Sequence, residues 1–201
     1  MYNASKKQAA VTDPDLELVE KARTGDSKAF SQLVNRHYEM VYVVAYGVLR
    51  DREHARDTTQ EVFLKVHQDI SRFKGDSKFR TWLYRVTTNA AIDQVRRRKP
   101  SISLDATDKG EDDEAPVVIP DQSPGPRQES EKEELKQSFA RALEELSEDH
   151  RAVLVLREWQ DLSYEEIAET LNLEMGTVMS RIFYARKKLG EVLKKMGIHH
   201  P

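Results

Sequence analysis

Ser163-Tyr164-Glu165-Glu166-Ile167-Ala168-Glu169-Thr170-Leu171-Asn172-Leu173-Glu174-Met175-Gly176-Thr177-Val178-Met179-Ser180-Arg181 is the stretch that decides how the second half of this chain folds. Ser163 and Glu166 have capping-box spacing: the hydroxyl accepts from the Glu166 amide while the Glu166 carboxylate reaches back to the Ser163 amide. A short helix is predicted over Tyr164 to Leu171. Asn172-Leu173-Glu174 makes a three-residue turn, and Gly176 to about Leu193 forms a longer helix with Val178, Ile182, Ala185 and Leu189 inward. A short capped helix, a three-residue turn and a longer helix have the proportions of a helix-turn-helix, whose second helix enters a DNA major groove.

The charges agree with that reading. Between Met175 and Lys195 lie Arg181, Arg186, Lys187, Lys188, Lys194 and Lys195 against the single acid Glu191. Thr177, Met179, Ser180, Arg181 and Tyr184 fall off the apolar stripe, within reach of base edges or phosphates, and Ser163, Phe183, Arg186 and Lys187 complete the candidate surface. The alternative is a helical hairpin with a solvated basic face.

Upstream, Leu135, Phe139, Ala142, Leu143 and Leu146 start this lobe near Glu131, and it restarts after Ser147 with Val153, Leu154, Leu156 and Trp159. The first half also reads as helices. Leu16, Val19 and Ala22 precede a break at Gly25-Asp26, where Asp26 is placed to cap a second helix carrying Phe30, Leu33, Val34, Val41, Ala45 and Val48. A third helix turns Ala55, Thr59, Val62, Phe63 and Val66 inward. After the polar loop Lys74-Gly75-Asp76-Ser77, a fourth turns in Phe79, Trp82, Leu83, Val86 and Ala90. No run alternates with period two, so the expected class is all-α: two small helical domains joined by a flexible acidic linker.

The linker is read from composition. Between Pro100 and Ser130 lie five of the seven prolines, eight acids and few large apolar residues. The expected boundaries are a flexible N-terminus (1–14), a first lobe (15–99), a disordered linker (100–130), a second lobe (131–195) and a tail (196–201). Fully extended, the linker reaches roughly 100 Å, and as a flexible coil about 30 Å, enough for two DNA sites about 50 Å apart. A net charge of −3 over 201 residues argues against a nucleic-acid partner until its distribution is seen. Residues 1–99 carry 19 basic and 13 acidic side chains, 100–150 carry 5 and 15, and 151–201 carry 8 and 7. Two basic or neutral lobes thus flank an acidic segment.

Other classes are excluded by what the chain lacks. Without cysteine there is no disulfide framework, thiolate zinc site or cysteine nucleophile. The six histidines (37, 54, 67, 150, 199, 200) show no metal-ligand spacing, and no phosphate loop or nucleophile motif is present, so no catalysis, metal or cofactor is expected. His37 and Trp159 read as packing residues. No apolar stretch approaches a membrane span or signal core, which leads us to expect a cytoplasmic protein without membrane insertion.

A second candidate surface lies on the fourth helix. Arg80, Arg85, Arg96, Arg97 and Arg98 accompany Trp82, Tyr84, Asn89 and Asp93 there. Arginines beside aromatics suit melted DNA, because rings and guanidinium planes stack on unpaired bases while charge holds the backbone. The competing readings place Trp82 partly in the core and Arg96 to Arg98 as favourable charges at a helix C-terminus.

Several motifs in order resemble the extracytoplasmic-function group of bacterial RNA polymerase sigma factors: Gly25-Asp26-Ser27-Lys28-Ala29-Phe30, Asp57-Thr58-Thr59-Gln60-Glu61-Val62-Phe63, Phe79-Arg80-Thr81-Trp82-Leu83-Tyr84-Arg85-Val86 with Asn89 and Asp93, and Leu162 to Ala168 with Gly176-Thr177-Val178 and Ser180-Arg181. The resemblance covers about residues 15–99 and 131–195. It implies that the first lobe is sigma domain 2, with Asp57, Gln60, Glu61 and Phe63 docking on the clamp helices of the largest polymerase subunit. Lys74, Ser77 and Lys78, with the helix from Phe79 to Arg98, would recognise and help open the −10 element. The second lobe would be sigma domain 4, placing Gly176 to Lys188 in the −35 major groove, with the flap region of core polymerase as its protein contact. An anti-sigma factor is a further implied partner. The chain departs from the family at Glu174, Met179 and Tyr184, where many relatives carry Pro, a basic residue, and Arg or another polar residue; the latter two changes remove possible guanine or phosphate contacts.

The rival reading is a stand-alone helix-turn-helix regulator whose first lobe senses a ligand or dimerises. Such a protein binds duplex operator tightly alone, whereas a sigma factor binds promoters well only with core enzyme.

Overall fold

The computed structural model describes residues 13–98 and 138–198. The linker expected over 100–130, Leu135, residues 1–12 and residues 199–201 lie outside these residues. Among the described residues every regular element is helical, and the class is all-α.

The first lobe contains α1 (Leu16–Arg23), α2 (Ser27–Leu49), α3 (Arg52–Asp69), which runs into a 3₁₀ turn at Ile70–Arg72, and α4 (Phe79–Arg98). Its boundaries follow local chemistry. Gly25 breaks the chain at φ 93°, and the Asp26 carboxylate accepts from the Lys28 and Ala29 amides to start α2. Arg50 ends α2 in the left-handed region, and Asp51 caps α3 by accepting from the His54 amide. Val19, Leu33, Val41, Val62, Phe63, Val66, Ile70, Phe73, Phe79 and Leu83 form the core between these helices. His37 is buried there, with Nε2 2.7 Å from an Asp15 carboxylate oxygen; Arg36 holds the other oxygen.

The second lobe contains α5 (138–144), α6 (Glu148–Leu154) continuing as a π turn at Val155–Trp159, α7 (Tyr164–Leu171) and α8 (Met175–Lys195). Both halves of the expected capping box at Ser163 are made, at 3.1 and 2.9 Å. Asn172 turns the chain between α7 and α8 at φ 52°. Leu143, Leu146, Val153, Leu154, Leu156, Leu162, Ile167, Val178, Ile182 and Ala185 pack this lobe.

The lobes pack directly against each other. Val44 of α2 and Tyr84 of α4 belong to the second lobe's apolar cluster, and α4 contacts both α6 and α7. Gly47 makes this possible: a Cβ there would lie 2.5 Å from a Val155 methyl and 2.7 Å from the Trp159 ring. Trp159, expected in the core, is exposed at this seam, with 37% of its surface accessible. The seam also changes the buried face of α4. Phe79 and Leu83 are buried as expected, but Trp82, Val86 and Ala90 are only partly covered, while Tyr84, Thr87, Thr88, Ala91 and Ile92 are buried. A helix enclosed on two sides has no single apolar stripe. Thr87 and Thr88 are tolerated inside because their hydroxyls donate to the Leu83 and Tyr84 carbonyls at 2.8 Å.

Candidate nucleic-acid interface

The helix-turn-helix presents its second helix outward. Val178, Ile182 and Ala185 anchor α8 to the lobe, which turns Met179, Ser180, Phe183, Tyr184, Arg186 and Lys187 to solvent. Thr177 is half-buried, and its carbonyl accepts from the Ser180 hydroxyl at 3.0 Å. Two of the expected DNA-contacting arginines already have carboxylate partners. Arg181 Nη2 lies 3.3 Å from Asp149, and Arg186 donates through Nε and Nη2 to one Glu158 oxygen at 3.0 and 2.5 Å. The Glu158 hydrogen bonds push the Arg186 pKa further up, fixing its charge. The Ser163 hydroxyl accepts the α7 cap bond, which leaves its proton free to donate.

The α4 surface is built from both ends of the first lobe. Asp13 accepts from the Phe79 amide at 2.7 Å, so a residue assigned from sequence to the flexible N-terminus starts this helix. Lys74 and Lys78 are exposed in the preceding loop, and Ser77 is half-buried. Trp82 sits half-covered beside Phe73 and Phe79, at ring distances of 5.4 and 5.8 Å. Arg80 lies over Tyr84 and donates to its hydroxyl at 2.9 Å.

Tyr84 is not a solvent-facing aromatic. It is 2% exposed, burial pushes its phenol pKa up, and its hydroxyl donates to Gln160 of the second lobe at 3.0 Å. Arg85 is half-buried and donates to the Glu169 carbonyl at 3.1 Å. Arg96 reaches Glu148 and Asp149 at 3.7 and 3.5 Å. Asn89 and Asp93 line a cleft between the lobes with Arg96, Asp149 and Arg181. Arg97 is exposed, and Arg98 lies 3.5 Å from Asp51. The inner part of the expected −10 surface therefore faces the second lobe. Gln160, Glu169 and Asp149, which hold it there, carry no local pattern that would have marked them in the sequence.

On α3, Asp57, Gln60 and Glu61 are exposed on one side of the helix. Phe63 is not presented with them: it is 8% exposed, packed in the core, and stacked parallel to Tyr38 at 6.3 Å. The apolar member of the exposed face is Leu64, which the sequence reading omitted and which is 65% exposed. Its spacing from Asp57, Gln60 and Glu61, at intervals of seven, four and three, was visible as a helical stripe. Among the described residues no group of three or more His, Asp or Glu side chains is placed to hold a metal, and no helix is long and apolar enough to cross a membrane.

Comparison with known proteins fits this two-lobed arrangement. Residues 33–100 match the family model of Sigma-70 region 2, and residues 136–189 match that of Sigma-70 region 4. The ECF RNA polymerase sigma-E factor of Escherichia coli K12 is 39% identical over 178 residues, covering 87% of this chain and 92% of its own. The chain belongs to the ECF group of RNA polymerase sigma factors. This sigma factor is also similar to the RNA polymerase sigma-H factor of Pseudomonas aeruginosa, at 33% identity over 92% of the chain and 96% of that protein. Among solved structures it resembles CnrH in complex with the cytosolic domain of CnrY, with a TM-score of 0.64 at 25% identity over 91% of this chain and 99% of that one. The sigma factor RpoE of Bartonella quintana, bound to the anti-sigma factor NepR, shares the fold with a TM-score of 0.61 at 24% identity, over 83% and 98% of the two chains.

Proposed function

We propose that this sigma factor binds core RNA polymerase and directs promoter-specific initiation by recognising a −10 and a −35 element and helping to open the DNA. The observation that carries the reading is the presence, in order on one chain, of a region 2 lobe and a region 4 lobe, each with a solvent-facing helix surface of charged and large apolar side chains. The α3 face of Asp57, Gln60, Glu61 and Leu64 docks on the clamp helices, with Phe63 supporting it from beneath. The second lobe meets the flap region. Lys74, Ser77, Lys78, Arg80, Trp82, Arg85, Asn89, Asp93, Arg96, Arg97 and Arg98 serve the −10 element. Ser163, Thr177, Met179, Ser180, Arg181, Phe183, Tyr184, Arg186 and Lys187 serve the −35 element. This sigma factor supplies no catalytic residue; nucleotide addition belongs to the polymerase, and both act in the cytoplasm. An anti-sigma protein covering the polymerase-binding faces is the matching regulatory partner.

The closed packing of the lobes constrains this mechanism. Arg85 and Arg96 cannot hold DNA while they hold Glu169 and Asp149, and touching lobes cannot reach elements about 50 Å apart. The promoter-bound form has its lobes apart, with the 100–130 segment as tether. The test is to add the purified protein to bacterial core polymerase and sequence the transcripts started on fragmented genomic DNA from its source. Specific starts that require the protein support the reading. Folded protein that gives none, yet binds duplex DNA tightly alone, would replace it with a stand-alone regulator.

A further inference from the structure

The outward face of α8 is unusual for a surface meant for DNA, because its centre is apolar. Met179, Phe183 and Tyr184 are 53, 62 and 57% exposed. Met179 and Phe183 stand four residues apart, one turn above the other on the same side. The Phe183 and Tyr184 rings brace each other edge to face at 5.4 Å, which limits the rotamers they must give up on binding. The guanidinium groups flanking this patch are drawn to either side, Arg181 to Asp149 and Arg186 to Glu158. The first cation C-terminal to the patch on this face that makes no ion pair among the described residues is the exposed Lys187, with Lys188 beside it. A bidentate guanidinium is what reads a guanine edge in the major groove, whereas apolar side chains read the C5 methyl of thymine.

We infer that Met179 and Phe183 read the −35 element through thymine methyl groups, with Lys187 and Lys188 holding phosphates, so that the element is specified by A·T pairs at the centre of the α8 footprint. This inference rests on the proposed sigma function and names the specificity of the same site. The basic surroundings favour a polyanionic partner over an apolar protein groove: from Met175 to Lys195 only Glu191 is acidic. Ser180, beside the patch, gives its hydroxyl proton to the Thr177 carbonyl and keeps lone pairs that can accept from the adenine amino group, so it does not oppose the assignment.

The test uses the holoenzyme and promoters located by the transcript sequencing above. Each thymine of the −35 element, on either strand, is replaced singly by deoxyuridine, which removes only the methyl group, and holoenzyme affinity is measured. Burying one methyl is worth about a 4-fold change in affinity. We expect a loss of about that size at one or more positions, and no such loss for Met179→Ala/Phe183→Ala holoenzyme, whose affinities for thymine and uracil promoters become equal. The measurement on the unaltered protein needs no variant. Equal affinity for thymine and uracil at every position overturns the inference. So does a −35 element composed only of G·C pairs, or a uracil penalty that persists in the double variant. Weaker core binding by the double variant, with the thymine preference intact in the holoenzyme that does form, would mark the patch as a protein-docking face and also overturn it. Failure of the sigma reading is distinct: it gives no protein-dependent starts at all.

Discussion

Asp51 stands where α2 hands over to α3, and three groups converge on its carboxylate. It accepts from the His54 amide at 2.9 Å, lies 2.9 Å from the His54 ring nitrogen Nδ1, and lies 3.5 Å from Arg98. Burial alone would push its pKa up, but the hydrogen bond from the His54 amide, the nearby His54 ring and Arg98 outweigh it and hold the carboxyl below its usual value. A carboxylate whose pKa is lower folded than unfolded stabilises the fold fully above its unfolded value, near 3.9, and that contribution is lost as pH falls through the folded value. Asp51→Ala is therefore expected to cost about 1 kcal/mol at pH 7, with the difference from the unaltered protein shrinking as pH drops below about 4. Urea unfolding at a series of pH values measures it; a difference independent of pH would show that the charge is not what matters. Caps of this kind are the most legible part of the chain. Asp26 and the Ser163–Glu166 box were readable because donor and acceptor lie within three residues. Asp13 on the Phe79 amide was not, since 66 residues separate the partners.

Adjacent positions on α3 divide between stability and binding. Phe63 is core and Leu64 is solvent-facing, although both are large, apolar and adjacent in the sequence. Phe63→Ala removes a buried ring and is expected to cost about 3 to 5 kcal/mol in stability. Leu64→Ser should change stability by no more than about 0.5 kcal/mol. On the proposed clamp-helix docking, Leu64→Ser weakens binding to core polymerase about tenfold, the loss expected for an apolar anchor in an otherwise polar contact. Chemical denaturation and a core-binding titration on the two variants separate the effects, and a Leu64→Ser protein that binds core normally would remove this face from the docking surface. The sequence placed α3 and α8 well because each buries one stripe at helical spacing. It misplaced the inner face of α4, where Tyr84, Thr88 and Ile92 are covered. Periodicity reports one buried side per helix, whereas a helix held between two layers has two.

At the scale of the molecule, the seam between the lobes sets how much of the protein is competent to bind. Tyr84 to Gln160, Arg85 to Glu169, Arg96 to Asp149 and the contact of Gly47 with Val155 and Trp159 all belong to the closed form. If the open form binds core and promoter, apparent affinity is reduced by the fraction that is open, and loosening the seam restores it. Gly47→Leu tests this cleanly. In α2 alone leucine is the better helix former, ranking just below alanine, which exceeds glycine by about 0.8 to 1.0 kcal/mol, but at the seam its Cβ would meet Val155 and Trp159 at 2.5 and 2.7 Å. The variant is expected to keep its helix content, to show a larger radius of gyration by small-angle scattering, and to bind core polymerase several-fold more tightly. Its thermal unfolding should separate toward two transitions as the lobes lose their shared core. An unchanged radius of gyration would mean that the seam absorbs the added side chain. A larger radius without tighter core binding would mean that closure does not limit assembly, and that Arg85 and Arg96 are released only after the polymerase has engaged α3.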